Sequence, residues 1–378
     1  MVYLDNAATS YPKAPGVASA MADYVEKVGA TINRSSYASA QEAGLVTLSL
    51  RERLCRLFNH PDPTHAVLTP GATAGLNMVI KGLLRPGDHC LVSSMEHNAV
   101  MRPLVQLERG GVAFERIPCD AQGCLRLEAL PGMIKRNTRL LVMAHGSNVC
   151  GTVQDAEAVG KICRERGVPF ALDAAQTAGH IEVDFERFGL SALVVPGHKG
   201  LLGPQGIGAL LLDADFARRL TPLVAGGTGS ASDSEELPGW MPDRFESGTP
   251  NMPGVYGWEA ALGWLENTGI ETLENHEKTL SKRFLEGIYG LKNVKLYGIT
   301  VPERRTGVFS VGFLNCDNAE AAWRLEREFG ILTRCGLHCA PSAHKTLGSF
   351  PEGSVRFSTG WANTEADIDA ALSAIAAI

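Results

Sequence analysis

Three short segments carry side chains that could serve as base, charge partner and nucleophile. Asp173 follows the apolar run PFAL, Lys199 closes ALVVPGHK, and Cys339 lies in TRCGLHCAPSAHK between Arg334 and two histidines. A lysine in a partly desolvated place has a lowered pKa, which makes its amine a Schiff-base candidate. The ordinary alternative is a surface lysine. The glycines of PGHKGLLGPQGIG count against it, because they suggest close backbone approach to a ligand. A carboxylate at the end of a buried strand is costly without a cation. A protonated pyridine nitrogen would satisfy Asp173, and a helix-capping aspartate is the equal alternative. A thiol beside His338 and near Arg334 can be partly thiolate at neutral pH, so Cys339 is a nucleophile candidate. Cys335, His338, Cys339 and His344 also offer four zinc-type ligands. The adjacency of His338 and Cys339 lacks finger spacing, so the reading is that no metal is bound.

These groups need elements that bring them together. From residue 65 to 213, short apolar runs alternate with helix-like segments, the pattern of an α/β fold. The predicted strands are 65–69, 89–94, 113–118, 139–145, 169–175, 192–198 and 207–212, with a crossover helix over 156–167. Several runs are apolar throughout, as strands covered on both faces by helices should be. In such a sheet ligands collect at the carboxyl ends of strands, where GATAGLN (71–77), EHN (96–98), DAAQ (173–176) and GHKG (197–200) fall. Asp173 and Lys199 lie 26 residues apart, about one strand–helix–strand unit, so both can reach one crevice. Gly71, Ala72 and Thr73 sit at a strand-to-helix turn whose free amides favour an anion such as phosphate, although an ordinary helix start uses similar residues. A Gly/Ser/Pro-rich stretch, VAGGTGSASDSEELPG, reads as a long loop. Beyond RFESGTPNMP come a helical run, strands GVFSVGF and SVRFST around a helix near 319–329, and a last helix from about Glu365. The expected domains are residues 15–253, and a smaller α+β unit of 254–378 joined by 1–14.

Composition narrows the function classes. The chain has 378 residues, 45% apolar and 20% charged, with a formal net charge of -6. That is ample for a large core and gives no basic footprint for nucleic acid. No apolar run approaches the ~18 residues of a membrane span, so the expectation is a cytoplasmic protein with no membrane partner. Nine cysteines without framework spacing argue for reduced thiols. Cys55, Cys90, Cys119, Cys124, Cys150, Cys163 and Cys316 are expected to be small buried packing residues.

The segments YLDNAATS (3–10), MEHNA (95–99), SNVCGT (147–152), DAAQ, GHKGLLGPQGIG (197–208), RFESGTPN (244–251) and RCGLHCA (334–340) stand in the order of one family. Across essentially the whole chain the sequence resembles the class V aminotransferase group of fold type I pyridoxal 5'-phosphate (PLP) enzymes. Within that group it resembles the cysteine desulfurases and selenocysteine lyases. The resemblance implies a large domain with a mainly parallel seven-stranded sheet and a smaller C-terminal domain carrying the cysteine loop. It implies that Lys199 carries the cofactor as a Schiff base, Asp173 pairs with the pyridinium nitrogen, and His97 stacks on the ring and handles protons. Asn148 and Gln176 would bond substrate or cofactor. Ala72, Thr73 and His198 would hold the phosphate, and Thr249 would reach the phosphate of the opposite subunit of a homodimer. Arg356 would clamp the substrate carboxylate, work that suits a bidentate guanidinium, with Arg334 beside it. The Arg-x-Gly-x-His-Cys pattern resembles the SUF-type group, in which the residue matching Cys339 takes sulfur from L-cysteine as a persulfide and passes it to an acceptor protein. L-selenocysteine is the rival substrate, and an aminotransferase or lyase that ignores Cys339 the rival activity. A non-catalytic PLP-bound scaffold is the reading from another class. Ala74, Tyr37 and Pro196 depart from the family pattern where an acid, a histidine and a hydroxyl are common. Cys335 replaces threonine, and is either an inert substitution or a second thiol able to take the persulfide.

Overall fold

The computed structural model describes residues 1–33 and 35–378. Its central sheet has seven strands: β1 (Ala66–Thr69), β2 (His89–Ser93), β3 (Ala113–Ile117), β4 (Thr138–Ala144), β5 (Phe170–Asp173), β6 (Ala192–Pro196) and β7 (Gly208–Leu212). The spatial order is β1-β7-β6-β5-β4-β2-β3. Strands β6-β5-β4-β2-β3 are parallel, while β7 runs antiparallel to both β6 and β1. Each strand matches its predicted segment to within two residues. Strands β2, β5, β6 and β7 are buried at every position, because helices cover both faces of the sheet, one cluster of apolar side chains on each side. Only the edge strand β3 is exposed along much of its length.

A second, antiparallel sheet of four strands has the order β10-β11-β9-β8: β8 (Val294–Tyr297), β9 (Val308–Phe313), β10 (Arg334–Gly336) and β11 (Ser354–Ser358). Strands β8 and β10 were not predicted, being short and only half-buried. Leu4, Phe284, Phe309, Val311, Leu325, Phe357 and Ile375 build a core separate from the two around the large sheet. The predicted boundary at 253/254 falls inside helix Met252–Thr268. That helix buries Val255, Trp258, Ala261, Leu262 and Leu265 in the larger core, so the apolar side chains divide after it, within helix Ile270–Tyr289, whose Ile270 and Leu273 still pack on the larger core while Leu280 and Phe284 enter the smaller one.

The N-terminal arm crosses between the two bodies. Val2–Tyr3 pairs in parallel with Ile331–Leu332, Leu4 enters the smaller core, and Ser10 donates its amide to His198 O at 3.0 Å. The stretch 224–239 has no helix or strand, as its composition predicts. It ends near a largely buried, two-pronged pair in which Arg51 Nη1 and Nη2 reach Glu246 at 2.8 and 2.7 Å. All nine cysteines are free. Cys55, Cys90, Cys150 and Cys163 are buried as expected, but Cys119, Cys124 and Cys316 are only half-buried. No helix among the described residues is long and apolar enough to cross a membrane.

Candidate active site

A cavity of about 630 Å³ opens at the carboxyl ends of β4, β5 and β6. The parallel register makes it. Ala144 pairs with Asp173 and Asp173 with Val194, so the ends of three strands align and the residues following them turn toward one crevice. Asp173, Lys199, His97, Asn148, Gln176, His198, Ala72 and Thr73 all line it, so most of the predicted site converges.

Lys199 sits in a turn whose chain closes by a bond from Leu202 N to Lys199 O, 2.8 Å. Burial lowers its amine pKa to about 8, with Arg356 and Arg334 pushing the same way and Asp173 and Cys339 opposing. Asp173 is 5% exposed and accepts the Ala175 amide at 3.0 Å. Burial raises its pKa, against that amide and the charge of Lys199. This aspartate thus accepts the amide of a turn, not of a helix, and its carboxylate lines the cavity.

His97 caps helix Asn98–Glu108, its Nδ1 accepting the Ala99 amide at 3.0 Å. That bond assigns the ring proton to Nε2. Burial, followed by the charge of Lys199, holds the ring neutral with a pKa near 4. Asn148 donates from Nδ2 to His338 O at 2.6 Å, and Gln176 from Nε2 to Ala7 O at 3.0 Å. Both keep an amide oxygen for a ligand. At the far wall helix Ala72–Leu83 begins behind Gly71, φ +151°, a backbone conformation that favours glycine. No side chain caps it. The amides of Ala74 and Gly75 bond back to Gly71 O, which leaves those of Ala72 and Thr73 for an anion. His198 completes this side, with Nδ1 3.1 Å from Thr9 Oγ1 and a pKa lowered by burial to about 4. Ala74 and Pro196, two of the departures, also line the cavity. Tyr37 is more than half exposed, just ahead of helix Ala38–Phe58.

The cysteine loop is tied to the rim of this cavity. Asn98 donates its amide to Cys339 O at 2.8 Å, and Asn148 holds the His338 carbonyl. His338 and Cys339 are successive non-glycine residues at φ +48° and +58°. Strain of this kind costs about 1–3 kcal/mol per residue and persists where function requires it. The outcome is an exposed Cys339 thiol 3.9 Å from Arg334 Nη2. His338 does not share that exposure. Its ring turns inward, 3% exposed, onto His344 at 5.4 Å and Ser354 Oγ at 3.4 Å. Burial, then the charge of Arg356, drives its pKa to about 2. The expectation that the neighbouring histidine activates the thiol is therefore corrected: the residue's cationic neighbour is Arg334. Among the described residues no three His, Cys, Asp or Glu side chains group as a metal site.

Arg356, on β11, does not itself line the cavity and is 1% exposed. Nη2 meets Asp5 Oδ1 at 2.7 Å, Nη1 meets Asn148 O at 3.0 Å, and Nε is buried with no partner among the described residues. An unpartnered guanidinium donor of this kind is a place for a carboxylate. Asp5 was not foreseen, although it stands in the quoted YLDNAATS segment; 351 residues separate it from the arginine. Glu96 was also missed. It is fully buried beside His97, accepts the Ala144 amide at 3.0 Å, and burial raises its pKa to about 8. Thr249 does not reach the cavity within this chain. It lines a neighbouring one of about 420 Å³ that shares Pro70 and Gly206 with the first.

Cys335 faces away from Cys339. Arg334 and Arg356 pair across β10 and β11, as do Cys335 and Val355. Alternate residues of a strand point to opposite faces, so Cys335 shares the face of Val355, which lies in the smaller core. Burial raises its thiol pKa. Replacing Cys335 with Ser should change the alkylation rate of the exposed Cys339 by less than about twofold, consistent with substitutions away from a reacting group; a Cys335–Cys339 disulfide found by mass spectrometry would reverse this.

The class-V aminotransferase model matches residues 2–371. The chain belongs to that family. A "Probable cysteine desulfurase" of Methanothermobacter thermautotrophicus is 32% identical, over 97% of this chain and 92% of that one. A "Cysteine desulfurase" of Cronobacter sakazakii is 30% identical, over 98% and 91%. The solved apo structure of a cysteine desulfurase from Thermococcus onnurineus superposes with a TM-score of 0.93 at 31% identity, over 100% of this chain and 94% of that one. The fold of this class-V chain is the mainly parallel seven-stranded α/β architecture that its sequence suggests.

Proposed function

We propose that this chain is a PLP-dependent cysteine desulfurase, converting L-cysteine to L-alanine and leaving sulfur as a persulfide on Cys339. The observation that carries the reading is the exposed Cys339, held in a left-handed backbone beside Arg334 and tied through Asn98 and Asn148 to a cavity containing Lys199 and Asp173.

The residues present fit the cofactor. A buried carboxylate, a desolvated lysine and an open helix N-terminus stand around one cavity large enough for a small phosphorylated heterocycle. Lys199 would anchor it, Asp173 would face its ring nitrogen, His97 its ring, and Ala72, Thr73 and His198 its phosphate. Bound there, PLP supplies an electron sink for charge developing at the substrate Cα. Arg356, oriented by Asp5, binds the substrate carboxylate. Lys199 takes the Cα proton, for which an amine of lowered pKa is suited. The Cys339 thiolate then attacks the substrate sulfur: the S–S bond forms, the substrate C–S bond breaks, and alanine leaves after Cβ takes up a proton equivalent to the one the thiol gave up and Lys199 returns its proton to Cα. The Arg334 guanidinium faces the Cys339 sulfur at 3.9 Å.

A homodimer follows from the same reading. Thr249 borders a cavity of its own, and Leu45, Leu48, Leu223, Val224 and Trp240 leave apolar surface exposed, as a subunit interface would. An exposed Cys339 suits delivery to an acceptor protein, and nine unpaired thiols suit a reducing cytoplasm. We also place the domain division after helix Met252–Thr268.

The test is to incubate the purified protein with L-cysteine, and in parallel with L-selenocysteine, and to measure alanine and protein-bound persulfide. Alanine and persulfide from cysteine are expected. Alanine from selenocysteine alone, or an oxo acid in place of alanine, would overturn the reading. Arg356→Lys, which keeps charge but loses the fork, should raise KM for cysteine by about 10- to 100-fold, the cost of one charge-assisted bond. Its kcat should fall less.

A further inference from the structure

Behind the Lys199 turn lies a histidine–carboxylate pair that the mechanism above does not use. His180 follows the DAAQ segment, and its Nδ1 is 2.6 Å from Glu277 Oε2 on helix Ile270–Tyr289. The imidazole packs directly on the residue after the lysine: a Cβ placed on Gly200 would lie 2.6 Å from His180 Nε2 and 2.3 Å from Ala178 O. Only glycine fits there, so ring and turn are in contact. Lys199, His180 and Glu277 border the same small void of about 20 Å³.

The other oxygen of Glu277 accepts the Gly307 amide at 2.6 Å. Gly307 O in turn receives the Thr359 amide at 2.9 Å, three residues beyond Arg356. A continuous set of contacts therefore joins the lysine turn of the large body to the strand that carries the arginine in the small one. The titratable and charged groups around His180 are Lys199 from the turn after β6 and Glu277 from its helix, with His276 beside Glu277. Burial disfavours a charged His180, but the charge and hydrogen bond of Glu277 outweigh it and raise its pKa. The raised His180 pKa and the lowered Glu277 pKa both favour an imidazolium facing a carboxylate.

We propose that His180 and Glu277 are a positioning pair, fixing the Lys199–Gly200 turn against the small domain so that proton transfer by Lys199 depends on them while substrate binding does not. The inference rests on the reading of Lys199 as the proton carrier. The Arg356 guanidinium takes its own bonds to Asp5 and Asn148, not to either member of the pair, which is why KM should be spared.

Full-length His180→Gln, Glu277→Gln and Glu277→Asp proteins loaded with PLP test it. Both glutamine variants should lose about tenfold or more in kcat with KM within about twofold, the pattern of an interaction felt only at the chemical step. Glu277→Asp should recover part of that loss. A readout independent of turnover is the pH at which the visible absorption of the resting, cofactor-loaded protein changes. In His180→Gln the Glu277 carboxylate faces Lys199 without its cation, so this midpoint should rise by about half a unit or more. In Glu277→Gln the imidazole also loses its reason to be charged, and the midpoint should move less. Unchanged kcat, or a lowered Tm and kcat with an unmoved midpoint, would overturn the proposal in favour of a merely structural pair. Should His180→Gln not fold, the near-isosteric Glu277→Gln carries the kcat and KM test. Wild-type protein that forms no alanine from cysteine would instead refute the parent reading, and the midpoint shift alone would then decide for or against the pair.

Discussion

Cys339→Ala should retain the visible absorption of the bound cofactor and yet lose alanine formation from cysteine by about 1000-fold or more, the scale on which removal of a nucleophile is felt. The expectation follows from the geometry. Cys339 is exposed, its thiol 3.9 Å from the Arg334 guanidinium, and its backbone is held at φ +58° by bonds from Asn98 to its own carbonyl and from Asn148 to that of His338. His338 is turned into the protein and buried, so its ring does not stand in for the missing sulfur. The measurement is alanine release together with mass spectrometry of the protein after exposure to cysteine. Full turnover of a Cys339→Ala protein would show that sulfur leaves by another route.

Lys199→Ala should have the larger effect still, removing at once the amine proposed to anchor the cofactor and to move the Cα proton. Alanine formation should fall by about 10⁴-fold or more, since proton transfer by a positioned group alone is worth 10²–10⁴, and the visible absorption band should be lost or displaced. These two variants separate the roles: one protein keeps its colour and loses its chemistry, the other loses both. The amine also sets a pH course. Its pKa is lowered to about 8 from the ordinary lysine value of 10.5. Below that pH it is protonated and non-nucleophilic; above it the free base attacks. Uptake of PLP by cofactor-free protein should therefore speed up as pH rises through about 8 and level off above, about two units lower than the ordinary lysine value of 10.5 would allow. A rate still climbing at pH 10 would mean the lysine is not desolvated.

Much of this was legible before any coordinates. Of the seven runs that became β1 to β7, those of β2, β5, β6 and β7 are buried at every position, and a strand covered on both sides has little choice but to be apolar throughout. Lys199, Asp173, His97, Asn148, Gln176, Thr73 and His198 follow such runs or begin the helices after them, so the parallel register brings them to one crevice. The two half-buried strands β8 and β10 escaped because a short strand with mixed exposure has no period to read. Helix Met252–Thr268 was divided from the body it packs on because a change of composition marks a change of texture, not of partner.

What the sequence determined by itself is the set of reacting types and the order in which the chain presents them: buried strands, a desolvated lysine, a carboxylate at a strand end, and a thiol near an arginine. Tertiary structure alone decided which way those side chains turn and what stands behind them. It sent His338 inward while Cys339 stayed at the surface, put Cys335 on the opposite face of β10, placed Asp5 against Arg356, and set His180 and Glu277 behind the lysine turn. Each of these depends on strand register or on contact between segments 97 to 351 residues apart. Such contacts are selected by the packing of whole elements, and no local pattern of residues records them.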